Sequence, residues 1–256
     1  MTATAGSVCL EVRDATRSFG GLVAVNAVSF QVARHSVTAV IGPNGAGKTT
    51  LFNLISGAVP PSSGRVLFEG TDVTHEAPEA KAARGLIRTF QLVKLFPELS
   101  AVENVKVGFH LRSRGGLLAA LLRPRAIRDM EAAIEDRARA LLHLVGLGSA
   151  ADLPAAALSY GQGRLLEVAR ALAAQPKLLM LDEPAAGLNG DETARLASLI
   201  RDIAEDGTAV LLIEHDMHLV MNTADEVVVV DFGRKIAQGA PDRIRQDPAV
   251  IAAYLG

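Results

Sequence analysis

The stretch Gly42-Pro43-Asn44-Gly45-Ala46-Gly47-Lys48-Thr49-Thr50 decides the fold. It matches the pattern G-x-x-x-x-G-K-S/T, with Gly42, Gly47, Lys48 and Thr49 at the fixed positions. Upstream, Val37-Thr38-Ala39-Val40-Ile41 is an apolar, β-branched run that reads as a buried strand. Downstream, Leu51, Phe52, Leu54 and Ile55 recur at helical spacing until Gly57 and Pro60-Pro61 stop them. The motif therefore sits on a strand-to-helix turn. Glycines there let successive backbone N–H groups converge on one point. The helix adds its positive end and Lys48 a full charge, so a triphosphate fits, with the Thr49 hydroxyl placed to ligate Mg²⁺.

Composition sets the outer limits. The 256 residues allow one large or two small domains with a sizeable core. Lys+Arg 26 against Asp+Glu 28 leaves a net charge of −2, which gives no electrostatic case for a nucleic-acid partner. Cys9, the single cysteine, reads as a buried strand residue in a chain without internal disulfides. No basic segment followed by an apolar core opens the chain, so no signal peptide is expected. The longest aliphatic run, residues 117–122, falls far short of the ~20 needed to span a bilayer. Any membrane role is expected to run through a partner.

Residues 8–12 and 28–32 read as strands. Between them, Phe19 either stacks on a purine ring or packs into the core. Residues 64–70 and 85–91 read as further strands, the second ending in Gln91, and residues 78–84 as a short helix. From residue 101 to 148 the composition turns to Ala, Leu and Arg. Ile127, Met130, Ile134, Ala138, Leu141 and Val145 predict one long amphipathic helix. Arg112, Arg114, Arg123, Arg125 and Arg128 flank the 117–122 run and read as the solvated basic face of a helical insertion, with a surface facing a membrane or a partner as the other reading.

Leu158-Ser159-Tyr160-Gly161-Gln162-Gly163 leads into a helix over residues 165–174. Ser159 is its candidate N-cap, and the following N–H groups suit an anion. Leu178-Leu179-Met180-Leu181 runs as a buried strand into Asp182-Glu183. Asp182 at the strand tip can hold the hydration shell of Mg²⁺, and Glu183 can orient and deprotonate the attacking water. Another strand, residues 210–213, ends at Glu214-His215-Asp216, where His215 can reach a γ-phosphate. A metal pair of His215 with His218 is the weaker reading, because no cysteine or third convincing ligand stands nearby.

Taken together, these motifs resemble the ATP-binding subunit of an ATP-binding-cassette (ABC) transporter over nearly the whole chain. The resemblance implies an α/β fold: a P-loop NTPase core with a parallel sheet, an antiparallel β subdomain and an inserted α-helical subdomain. Residues 1–91 and 159–256 would form the core with its β subdomain. Residues 92–158, with the start of the signature helix, would form the helical part, and residues 241–256 a C-terminal helix. Leu158-Ser159-Tyr160-Gly161-Gln162 resembles the family signature, so Ser159, Gly161 and Gln162 are implied as nucleotide contacts. Gln91 is implied to sense the γ-phosphate and metal, His215 to act as the switch histidine, and Phe19 to stack on adenine.

The subgroup most similar is the ATPases of branched-chain amino acid importers, through Pro184-Ala185-Ala186-Gly187-Leu188-Asn189 and the ending Ala253-Tyr254-Leu255-Gly256. Importers of urea or short amides share much of this pattern. The implied partners are a second ABC ATPase, identical or related, transmembrane permeases and, indirectly, a periplasmic binding protein. The implied location is the cytoplasmic face of the inner membrane, with ATP and Mg²⁺ as cofactors. Two positions depart from the pattern: Gly163, expected to loosen the signature helix start, and Gly190, expected to soften the loop that meets the other subunit. A soluble ABC protein acting on nucleic acid would carry a second cassette or a basic extension, and a phosphotransferase would leave the signature without a role.

Overall fold

The structure, a computed structural model, describes residues 8–89, 95–109 and 124–255. Gln91 lies outside the described residues, as do the 117–122 run and Arg112, Arg114 and Arg123. The described residues divide into two compact units, one holding those up to Arg88 and from Lys177 onward, the other Thr89–Pro176. Among the described residues no helix is long and apolar enough to cross a membrane.

The first unit contains two sheets. β1 (Val8–Phe19) and β2 (Leu22–Ala33) pair antiparallel, and β4 (Ser63–Phe68) and β5 (Thr71–Asp72) extend them into a 4-stranded sheet in the order β2-β1-β4-β5. Around β3 (Val37–Ile41), the strands β6 (Leu86–Arg88), β7 (Leu178–Asp182), β8 (Ala209–Ile213), β9 (Glu226–Asp231) and β10 (Arg234–Gly239) form a 6-stranded sheet. Its order is β10-β9-β3-β8-β7-β6, parallel except for the antiparallel edge strand β10. β3, β7 and β8 are buried at every position, as expected where both faces of a parallel sheet are covered. Leu10, Phe30, Phe52, Ile55, Phe68, Met180, Leu211 and Val230 share one apolar core that joins the two sheets, and Cys9 sits within it.

The helices are α1 (Lys48–Ser56), α2 (Pro78–Arg84), α3 (Ala101–Phe109), α4 (Pro124–Leu144), α5 (Tyr160–Ala173), α6 (Gly190–Glu205), α7 (Met217–Thr223), α8 (Pro241–Ile244) and α9 (Pro248–Leu255). In the second unit, α3, α4 and α5 pack on one another. Ala138, Leu142 and Val145 are buried on the long amphipathic helix and its end, whereas Met130 is exposed.

The first hairpin is longer than its sequence pattern indicates. Register shifts interrupt the pairing of β1 with β2, and Asp14 (φ 47) and Ala27 (φ 49) take left-handed backbone beside them. Such bulges break the period-2 alternation on which a strand is recognised. Phe19 pairs with Leu22 across a two-residue Gly20-Gly21 turn, so the segment around Phe19 is strand and hairpin tip, not a loop between separate strands. Among the described residues of the 85–91 run β6 covers Leu86–Arg88, and β10, a partly exposed edge strand, has no apolar pattern in the sequence. α5 begins at Tyr160, five residues earlier than the apolar spacing indicates, because Ser159 and Gln162 close a reciprocal capping box there.

Gly163 does not unmake that start: its N–H donates to Ser159 O at 2.8 Å, inside an intact first turn. Gly190 is likewise the first residue of α6, behind a capping box of Asn189 and Glu192. Both departures fall where caps hold the backbone.

One buried cation supports the phosphate-loop helix. Lys81 on α2 is fully buried, and its ammonium donates to Ile55 O at 2.9 Å and Leu54 O at 3.4 Å, the open carbonyl end of α1. Burial depresses its pKa to about 8, below the ~10.4 of an unfolded chain. Between these values the unfolded chain binds more protons, so this group makes stability rise with pH across that window. Lys81→Met is expected to flatten the rise in unfolding free energy between about pH 8 and 10. Denaturant titrations of both proteins check it, and parallel pH curves would contradict it.

Candidate nucleotide site

The phosphate loop turns between β3 and α1 with little room for side chains. Gly42 has φ 153, and a Cβ there would lie 2.0 Å from Val230 O. Gly47, with φ 100, would place a Cβ 2.4 Å from Ala24 O. Only glycine lets the loop lie this close to β9 and β2. Beside it opens a cavity of about 520 Å³ lined by Asn44, Gly45, Ala46, Gly47, Lys48, Thr49 and Thr50, with Phe19, Leu22, Val23, Ala24, Glu183, Phe232 and Gly233.

Lys48 points back on its own loop. Its ammonium donates to Gly42 O at 2.7 Å and Pro43 O at 2.9 Å. Desolvation pulls its pKa below the usual lysine range, and the charge of Glu183 acts against that shift. Such an ammonium is short of polar partners and ready to exchange carbonyls for phosphate oxygens. Thr49 is exposed on the first turn of α1.

Asp182 ends β7 with its side chain 1 % exposed. Its Oδ2 accepts from Arg88 Nη2 at 2.7 Å, while Oδ1 is buried with no hydrogen-bond partner among the described residues. A buried carboxylate oxygen left open in this way is the donor a hard cation takes, so the residues fit Mg²⁺. Glu183 follows with φ 48, a backbone region non-glycine residues rarely occupy. Its N–H donates to Ile213 O at 3.0 Å, which ties the strained residue to the tip of β8.

Glu214 was legible only as an acid beside His215. It is fully buried, and its carboxylate accepts from Ala185 N at 2.8 Å, His215 N at 3.0 Å and Asp216 N at 3.3 Å. Burial raises its pKa, against these backbone donors. Glu214 thus pins the turn after Glu183 to the turn bearing His215, whose side chain is 60 % exposed.

Phe19 is 46 % exposed at the hairpin tip, and the Arg17 guanidinium lies 4.6 Å from its ring centroid. The core alternative for Phe19 is therefore excluded, and the ring borders the cavity. Phe232, 86 % exposed with φ 42, lines the same cavity and carried no signal in the sequence. The outer side of the loop, Pro43 to Ala46, shares a second cavity of about 440 Å³ with Ala252 and Ala253 of α9.

Ser159, Gly161 and Gln162 stand in the second unit. Ser159 Oγ accepts from Gln162 N at 3.2 Å, and Gln162 Oε1 accepts from Ser159 N at 2.9 Å. Gly161 is buried, and Tyr160 is exposed with its hydroxyl accepting from Arg164 at 2.8 Å.

The chain is similar to known proteins along nearly its whole length. Residues 25–186 match the family model described as ABC transporter, and residues 234–256 match the model for branched-chain amino acid ATP-binding cassette transporters. The high-affinity branched-chain amino acid transport ATP-binding protein BraF of Pseudomonas aeruginosa is 45 % identical over 248 residues, 96 % of this chain and 97 % of its own length. LivG of Escherichia coli, named for the same transport, is 43 % identical over the same shares. An ATP-binding cassette of an ABC transporter, solved in its ADP conformation, superposes with TM-score 0.84 at 32 % identity, covering 97 % of this chain and 99 % of the other. The chain belongs to the ABC transporter family and has the fold of its ATP-binding cassettes.

Proposed function

We propose that this chain is the ATP-hydrolysing subunit of an importer for branched-chain amino acids. The ATPase reading is carried by one observation: a phosphate loop, an open carboxylate oxygen on Asp182 and the strained Glu183 all stand at the C-terminal ends of parallel strands in one sheet. The cargo rests on the similarity to BraF and LivG along nearly the full length.

The loop N–H groups and Lys48 hold the phosphates of ATP, and Phe19 takes the adenine. Thr49 and Asp182, with Gln91, would hold Mg²⁺, which neutralises phosphate charge when bound. Glu183 takes the proton of the attacking water, and His215, set beside it by Glu214, reaches toward the γ-phosphate. Ser159, Gly161 and Gln162 serve a triphosphate held by the phosphate loop of a second ABC ATPase subunit, so ATP joins two subunits by mass action. Hydrolysis removes the bridging phosphate and releases them. The pair docks on transmembrane permeases at the cytoplasmic face of the membrane, and a periplasmic binding protein delivers the solute.

Phe19→Ala is expected to cost ~1–3 kcal/mol of ATP affinity, the range of base–aromatic stacking. Competition between ATP and inorganic triphosphate reads it, because only the former loses affinity. For the cargo, deleting the gene is expected to abolish high-affinity leucine uptake, and wild type but not Glu183→Gln restores it. Leucine, isoleucine and valine uptake unchanged in the deletion strain would contradict the assignment.

A further inference from the structure

Arg88, the last residue of β6, bridges the metal-site acid and the helix that carries the phosphate loop. Its Nη2 donates to Asp182 Oδ2 at 2.7 Å, and its Nη1 donates to Asn53 Oδ1 at 2.7 Å and Ser56 Oγ at 3.0 Å. The guanidinium also lies 5.7 Å from the centroid of Phe52. Asn53, Ser56 and Phe52 all belong to α1. The Arg88 side chain is 14 % exposed and that of Asp182 1 %, so water does little to screen the pair.

We propose that Arg88 is a positioning residue for the divalent cation of the nucleotide complex. It engages Oδ2 of Asp182 and so leaves Oδ1 as the oxygen presented to the metal. A carboxylate on a free side chain has two equivalent oxygens and rotates between them. Here the planar fork of Arg88 fixes the rotation: one nitrogen is locked to α1, the other to Asp182. Oδ1 is consequently the atom left buried without a partner among the described residues. The same fork sets the distance between the acid and α1, on whose first turn Thr49 stands. A lysine ammonium gathers its donors on one nitrogen and lacks the planar fork that spans both ends. A role confined to folding would affect nucleotide binding equally with and without the cation, whereas the positioning role acts only when the cation is present.

This inference rests on the reading of Asp182 as a metal-site acid, so Asp182→Asn is measured beside it. Dissociation constants of a fluorescent ATP analogue are titrated in Mg²⁺ and in EDTA, and their ratio is the gain in affinity due to the cation. In Arg88→Met that gain is expected to fall about 10- to 150-fold, the usual worth of a buried charged hydrogen bond, with affinity in EDTA unchanged. Arg88→Lys is expected to fall between, and carries the test if Arg88→Met does not fold. An unchanged gain in either folded variant, or an equal loss in Mg²⁺ and in EDTA, overturns the role of Arg88. A gain untouched by Asp182→Asn overturns the metal-site reading itself, and the proposal with it.

Discussion

Replacing Glu183 by Gln is expected to lower ATP turnover by about 10²–10⁴-fold, the range for loss of a general base, while ATP binding persists. Gln keeps the shape of the side chain but takes no proton from water. The backbone gives no reason for collapse, since the N–H of residue 183 bonds to Ile213 O at 3.0 Å whichever side chain follows. The adjoining turn is held independently by Glu214 through Ala185 N at 2.8 Å. Phosphate release and binding of a fluorescent ATP analogue, measured on one preparation, separate the two effects. Near-normal turnover would remove Glu183 from the chemistry.

Lys48→Ala is expected to act on the other quantity. Lys48 is 7 % exposed, and among the described residues its ammonium holds the loop carbonyls of Gly42 and Pro43. Burial already lowers its pKa, so part of its desolvation precedes the ligand. Exchange of those carbonyls for phosphate oxygens then favours the nucleotide by ~1.5–3 kcal/mol, the worth of a charge-assisted bond. Affinity for ATP is expected to fall about 10- to 150-fold. Calorimetric titration checks it, and an unchanged dissociation constant would contradict the role of Lys48. Glu183→Gln holds nucleotide without turning it over, and Lys48→Ala fails to hold it.

Much of this site is local in sequence and was therefore legible there. The strand, turn and helix of residues 37–56, the 178–183 strand with its two acids and the capped start at Ser159 each declare themselves within about twenty residues. What the sequence conceals is long-range. Arg88 meets Asp182 across a sequence separation of 94, and Lys81 meets Ile55 across 26. Both look like surface cations in a linear reading because burial of a charge leaves no periodic trace. Glu214 was hidden by its neighbour His215, and Phe232 by an unremarkable turn. The first hairpin was read short because its bulges interrupt the alternation by which strands are recognised.

The phosphate loop and the signature belong to different units of the chain. The proposed engine requires the signature of one molecule to meet the triphosphate held by another. The most direct test uses the assembled transporter, with Lys48→Ala in this chain and an intact phosphate loop in the other ATPase copy. An ATP analogue carrying a photoreactive group on its γ-phosphate is expected to label residues 158–163 of the Lys48→Ala chain. Label at those residues that vanishes whenever this chain's own Lys48 is removed would contradict the shared reaction centre.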